Sequence, residues 1–358
     1  MKKKKISIIS ACYNEEGNIE NLVHRVSTVM QALPEYDYEH IFVDNSSTDN
    51  SREIFNKLIE QNKHITVLFM ARNFGSNQPS IIAGIHQATG DCVIIIDGDI
   101  QDPPELISEF IKKWKEGYDV VYGIRKKRRG SIIRRIFYAL FYRIFKFLSY
   151  IDIPLDAGDF SLMDKRIVNI IKSFPERDIY LRGLRAWVGF KQIGIEYTRD
   201  DRTAGKTSNS FFANFTWVKK AIVNFSNKPL EYVSTLASIV TVITLIASCV
   251  YLYLFFKYPA PRGFYTIFMT LLIFNSIQLL VLSVISEYLV RIFQEVKARP
   301  IYIISEVWNK DSIEKKDKTV IPISPARGET LVAQGIESPA SDLQLQKTYP
   351  CANKKSEN

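Results

Sequence analysis

Apolar and polar positions along residues 6 to about 123 follow two alternating rhythms. Short apolar runs at Ile6–Cys12, Tyr38–Asp44, Ile65–Met70, Cys92–Asp97 and Asp119–Tyr122 predict strands. Between them, Glu15–Leu33, Ser51–Gln61, Pro79–Ala88 and Pro104–Lys115 carry apolar residues at helical spacing. Strand and helix in turn imply an open, mostly parallel α/β sheet with helices on both faces. Ligands of such sheets bind beyond the carboxyl ends of the strands, where Asp44 and Asp97 fall. Residues 151–198 return to mixed α/β signals, with a last strand near Lys191–Tyr197.

A different pattern interrupts this alternation. Seven cations crowd into the eleven residues from Arg125 to Arg135, and an aromatic, basic stretch runs on to Tyr150. Residues 132–150 have the character of a helix lying in a bilayer interface, or of a core helix with a solvated edge. Phe211–Phe225 is a second stretch of this kind. Farther on, Ser234–Phe256 and Phe264–Ser286 are each 23 residues without a charge. At 1.5 Å per residue each forms a helix of about 35 Å, enough to cross a hydrocarbon core of about 30 Å. Only Lys257–Gly263 joins them, so they predict an antiparallel transmembrane hairpin with both flanks on one side. Lys219, Lys220, Lys228, Arg291, Lys297 and Arg299 flank the pair, which places both ends in the cytoplasm.

Composition sharpens this picture. The mean hydropathy of −0.05 averages a polar domain with an apolar anchor. Among 358 residues, 46% are hydrophobic and 24% charged, which excludes wholesale disorder. Four scattered cysteines without a C-x-x-C pair argue against a disulfide scaffold or structural zinc and fit a reducing compartment. The basic run from Arg125 to Arg135 suits an anionic membrane surface; with spanning segments nearby, a nucleic-acid partner is not expected. The expected organisation is a cytoplasmic domain at 1–228, the hairpin and juxtamembrane segment at 229–310, and a disordered tail at 311–358.

The sharpest chemical signal is the run from Ile94 to Glu105, where a buried strand delivers Asp97 and Asp99 around Gly98. Two hard carboxylates with room for phosphate oxygens suit Mg²⁺ or Mn²⁺. Alone, the same run is also an ordinary acidic turn. It is accompanied by Ala11–Glu16, Val43–Asp49 and Arg72–Gly75 at the ends of the first three strands. In order and placement these segments resemble the family 2 glycosyltransferases of the GT-A fold, over about residues 5–230. The run from Asp97 to Glu105 and the hairpin narrow the resemblance to polyprenyl-phosphate glycosyltransferases, the group of dolichyl-phosphate mannose synthase and the bacterial undecaprenyl-phosphate glucosyltransferases. Gly158-Asp159-Phe160, Leu181-Arg182-Gly183 and the segment Phe225–Leu230 are similar to the bacterial branch.

The resemblance implies roles. Tyr13, Glu15 and Asp44 would hold the base and ribose of a nucleotide sugar. Asp97, Asp99 and Gln101 would be the protein's metal ligands, with Asp97 also touching the nucleotide. Arg199, Arg202 and Lys206 would belong to a loop closing over the phosphates. Arg125, and Arg199 with it, would face the lipid phosphate, and Asp159 would orient the acceptor or act as a base. Two departures stand out: Ser76 follows Gly75 where relatives often carry lysine, and Ala204–Asn209 lacks the usual loop aromatic. The implied activity is inverting, metal-dependent transfer of a sugar, glucose from UDP-glucose, to polyprenyl phosphate at the inner membrane. A GDP-mannose-dependent mannosyltransferase is the alternative. A processive polysaccharide synthase would carry more spans and a Gln-x-x-Arg-Trp motif, and a non-enzymatic adaptor would not need Asp97, Asp99 and Gln101. The sequence leaves the oligomeric state open, a homo-oligomer included.

Overall fold

The computed structural model describes residues 3–125, 157–177, 179–199 and 263–310, with isolated helical positions between 230 and 257. The expected interfacial helices at 132–150 and 211–225, the tail at 311–358, Arg202 and Lys206 lie outside the described residues, as does most of the first expected span.

Each apolar run of the sequence becomes a strand: β1 (Lys4–Cys12), β2 (Tyr36–Asp44), β3 (Ile65–Met70), β4 (Cys92–Asp97) and β5 (Val120–Arg125). The intervening helices are α1 (Ile19–Gln31), α2 (Ser51–Gln61), α3 (Asn77–Gln87) and α4 (Leu106–Lys115). Then follow β6 (Ala157–Asp164), α5 (Lys165–Ser173), α6 (Leu181–Trp187), β7 (Gln192–Tyr197), α7 (Phe264–Lys297) and β8 (Ile304–Trp308). One eight-stranded sheet results, in the order β7-β5-β6-β4-β1-β2-β3-β8. Among these strands only β6 and β8 run against the rest.

The central strands are apolar on both faces because both are covered. In β1, Ile6 and Ile8 pack with Phe42, Phe55 and Phe110, while Ile9 faces Ile41, Ile81 and Ile85 on the other side. Helix α1 contributes Ile19, Leu22, Val23, Val26 and Met30, all buried at helical spacing. Each large side chain removed from water this way stabilises the fold by about 1.5–3 kcal/mol. The parallel register brings the ends of β1, β2 and β4 to one rim: Cys12 pairs with Asp44, and Ala11 with Asp97. Strand β6 enters antiparallel beside β4, with Ser161 opposite Ile95. Its leading residues, Asp159 among them, therefore arrive at the rim where Asp97 ends β4.

Among the described residues one helix is long and apolar enough to cross a membrane: Ile273–Lys297 within α7 has a mean hydropathy of 1.7, and its apolar stretch is not buried in the fold. Its partner in the expected hairpin falls mostly outside the described residues, whose isolated positions there are helical and largely exposed. At 34 residues, α7 runs well past Ser286. Ala298 then turns the chain through a left-handed conformation (φ 50°) towards the sheet. The Glu295 carboxylate accepts from the Arg177 amide at 2.9 Å, and Arg177 donates to the Arg299 carbonyl. Tyr302 is fully buried, its hydroxyl 2.7 Å from His86 Nδ1 at the end of α3. Residues 304–308, which the sequence grouped with the juxtamembrane segment, form the edge strand β8 against β3. Arg52 clamps that edge, ion-paired to Glu306 at 2.7 Å and stacked on Phe69 and Trp308.

Candidate active site

The rim formed by β1, β2, β4 and β6 carries the chemistry. Three residues there other than glycine adopt left-handed φ: Asn14 (55°), Ser46 (63°) and Ile100 (55°), each just beyond a strand end. Such backbone costs on the order of 1 kcal/mol or more and persists where surrounding contacts fix it. The Asn14 amide donates to Ser47 Oγ at 2.9 Å, and Asn14 Oδ1 accepts from the Thr48 amide at 2.8 Å. These bonds tie the β1 and β2 loops together. Gly98 is held even more tightly: a Cβ there would lie 2.6 Å from Cys12 Sγ and 3.0 Å from the Ala11 carbonyl. Only glycine lets the β4 loop lie against the end of β1.

Asp97, Asp99, Asp102 and Asp159 gather behind this loop. Burial, reinforced by Asp102, Asp159 and Asp99, pushes the Asp97 carboxyl up to about 7. Asp159 behaves oppositely. Burial would raise it too, but Arg182, with Arg185 and Arg125 behind, holds it down to about 2. Arg182 grips it bidentately, Nε to Oδ1 at 3.0 Å and Nη2 to Oδ2 at 3.2 Å. Gln78 and Asn77, from the start of α3, donate to the same Oδ2 at 3.3 and 3.5 Å.

Asp102 is fully buried and collects its own partners. Tyr197 Oη donates to it, Arg199 Nε lies at 3.1 Å and Arg125 Nη2 at 3.4 Å. Arg199 also reaches Asp99 at 3.5 Å and Asp97 at 3.9 Å. Arg125 and Arg199, expected at the lipid phosphate, are thus both engaged with Asp102. The structure brings Asp97, Asp99, Gln101, Asp159, Arg125 and Arg199 to one place. Asp44 closes the neighbouring strand end, its buried carboxylate raised by burial and bonded to Ser47. Glu15 accepts from Asn18 on the β1 loop, and Tyr13 stands 45% exposed there, free of the core and facing solvent. The sequence reading gave no role to Asp102, Gln78 or Asn77, and it picked out Arg182 only within the segment Leu181-Arg182-Gly183, without a place in the site. The i, i+3 arginines at 182 and 185 and the third acid of the Asp97–Asp102 run were the signals available.

Among the described residues no group of three or more His, Cys, Asp and Glu side chains is arranged to hold a metal ion. Asp97 and Asp99 offer a carboxylate pair, with the buried Gln101 amide beside it. That donor set fits a Mg²⁺-like ion, which takes one or two carboxylates and completes its shell with substrate phosphates and water. Burial first, and the carboxylates of Asp102, Asp159 and Asp99 after it, oppose the ionised form of Asp97, which a bound cation would favour.

Residues 7–171 match the family model described as glycosyl transferase family 2. The uncharacterized glycosyltransferase YkcC of Bacillus subtilis (strain 168) is 39% identical over 302 residues, 84% of this chain and 93% of that protein. The chain is a family 2 glycosyltransferase. The bactoprenol glucosyl transferase of Shigella phage SfII is 33% identical to this transferase over 305 residues, 84% of this chain and 98% of the phage protein. Among solved structures, a mannosyltransferase from Pyrobaculum calidifontis in complex with GDP-Man and Mn²⁺ aligns at a TM-score of 0.40 and 16% identity, covering 55% of this chain and 56% of that one.

Proposed function

We propose that this transferase moves glucose from UDP-glucose to the phosphate of undecaprenyl phosphate, with inversion, at the cytoplasmic face of the inner membrane. The observation that carries the reading is the connection of α7 to the sheet. An exposed apolar helix runs through Ala298 and the buried Tyr302 directly into β8, so the acidic rim belongs to a body fastened to a helix long and apolar enough to cross a membrane. An acceptor whose tail stays in the bilayer and whose phosphate reaches a polar site suits that construction. Relatives named bactoprenol glucosyl transferases, matched over nearly their whole length, support the sugar and the lipid. A two-helix hairpin at 234–256 and 264–286 would complete the anchor.

In this reading Tyr13, Glu15 and Asp44 hold the base and ribose. Asp97, Asp99 and Gln101 would hold Mg²⁺ or Mn²⁺, which when bound offsets charge on a leaving diphosphate. Arg125 and Arg199 can exchange their Asp102 contacts for the acceptor phosphate, while Arg202 and Lys206 close over the donor. A phosphate monoester has its second pKa near 6 and is largely a dianion at neutral pH. An oxygen of that dianion forms the bond to the anomeric carbon. The bond from that carbon to the diphosphate oxygen breaks, and its electron pair leaves with the nucleoside diphosphate. No proton need be removed, so positioning and electrostatics carry the rate.

The test incubates membranes containing the protein with a panel of nucleotide sugars and polyprenyl phosphate, and identifies the glycolipid by mass. UDP-glucose should yield polyprenyl phosphate carrying one hexose. Activity with GDP-mannose alone would replace glucose by mannose, a long glycan would indicate a synthase, and no lipid product from any donor would overturn the reading.

A further inference from the structure

The four donors around Asp159 say something about the acceptor. A carboxylate has about four lone-pair positions on its two oxygens. Here one oxygen receives Arg182 Nε and the other receives Arg182 Nη2, Gln78 and Asn77. A general base needs an open lone pair within about 2.6–3.2 Å of the proton it takes. This carboxylate is largely spoken for by fixed N–H groups.

The grip is itself braced. Gln78 is buried; its Oε1 accepts the Leu181 amide at 3.0 Å while its Nε2 turns to Asp159. One side chain therefore joins the start of α3, the start of α6 and strand β6. One turn after Arg182, Arg185 is almost fully buried, donates to the Gly158 carbonyl at 3.3 Å and lies over the Tyr122 ring. The geometry holds Arg182 on Asp159 from three elements.

We propose that Arg182 is a positioning residue for transfer: it occupies both oxygens of Asp159 and so restricts the site to acceptors that arrive as preformed anions, disfavouring hydroxyl acceptors such as water. The proposal rests on the phosphate-acceptor reading above and deepens it. Water attacking the anomeric carbon must lose a proton, whereas a phosphate dianion need not. The charged and titratable groups around Asp159 are Arg182, Arg185 and Tyr180 from α6 and its approach, Arg125 from β5, and Asp97 from β4. Removing Arg182 opens one Asp159 oxygen and withdraws the strongest of the cations that hold its proton affinity down, leaving Arg185 and Arg125.

The experiment uses the full chain in lipid vesicles and compares the native protein with Arg182→Gln, Arg182→Lys and Arg182→Gln/Asp159→Asn. Transfer to polyprenyl phosphate and hydrolysis of UDP-glucose without lipid are measured from pH 5 to 9, alongside UDP binding and thermal unfolding. Arg182→Gln should lower transfer at least tenfold and raise the ratio of hydrolysis to transfer at least tenfold. Its excess hydrolysis should be lost in the double variant at every pH. Arg182→Lys should recover part of the native ratio. If Arg182→Gln does not fold, Gln78→Leu, which removes one donor and the brace, should shift the ratio in the same direction. An unchanged ratio in the folded variants, or excess hydrolysis that survives in the double variant, overturns the proposal. Failure of the native protein to use polyprenyl phosphate would instead overturn the acceptor reading, and the hydrolysis measurements would still report on Arg182.

Discussion

Replacing Asp97 by asparagine should make the protein more stable and inactive. The carboxyl of Asp97 sits at about 7 in the fold because burial and the charges of Asp102, Asp159 and Asp99 oppose its ionisation. In the unfolded chain it ionises near 3.9. A group whose folded value is raised in this way contributes stability that is present below about pH 4 and lost as pH rises through about 7. The displacement of about three units corresponds to at most about 4 kcal/mol at 1.36 kcal/mol per unit. The side chain keeps 21% exposure, and the Asn77 amide approaches it at 3.5 Å, so we expect a gain of about 1–3 kcal/mol from that ceiling. Asparagine keeps the shape without the charge. Thermal unfolding in EDTA should show the variant ahead at pH 8, by about 2–4 °C per kcal/mol. At pH 5, where the folded native carboxyl is protonated, the advantage should fall below half. An advantage equal at both pH values, or a variant less stable at pH 8, would refute the reasoning.

Asp99→Ala should abolish transfer and Mn²⁺-dependent UDP binding, with little change in unfolding temperature; calorimetric titration with and without Mn²⁺ checks it, and near-normal turnover would remove Asp99 from the metal assignment. Gly98→Ala should cost about 1–3 kcal/mol and weaken UDP binding, because its Cβ would collide with Cys12 Sγ and the Ala11 carbonyl. Asp159→Asn should slow transfer roughly ten- to a hundredfold, or about 1.4–2.7 kcal/mol, without loss of UDP binding; a ten-thousandfold loss would make it an essential base. A cysteine introduced at Ala260 should label from outside the cell and one at Ser312 should not; the reverse pattern would contradict the hairpin.

Much of the sheet was legible because its strands are covered on both faces and therefore read as unbroken apolar runs, as in Ile94–Ile96. Strand β6 was not singled out: Ala157-Gly158-Asp159 opens it with small and polar residues, and its place beside β4 comes from a long-range antiparallel register. Strand β8 is five residues of mixed polarity just after an apolar helix, and nothing local reveals that β3 needs an edge partner. The same limit governs the site. Asp97 and Asp99 announce themselves by position at a strand end, and Asp159 by its surroundings in the chain. The Arg182–Asp159 pair joins residues 23 apart on different elements, so it exists only once β6 and α6 are packed. Asp102 was visible as an acid in the loop, but its three partners come from β5, β7 and the residues after β7.

Strand β8 also sets an order of events in the life of the chain. Its partner β3 is made more than two hundred residues earlier, and α7 lies between them in sequence. While the ribosome is still synthesising α7, one border of β3 has no neighbour, and Arg52 and Phe69 await Glu306 and Trp308. The sheet can be sealed only after the apolar helix has emerged, so the last seam of the polar body closes behind that helix. A fragment cut before Phe264 to obtain a soluble protein would lose that seam and bare the backbone of β3. An exposed strand edge of this kind invites pairing with another molecule.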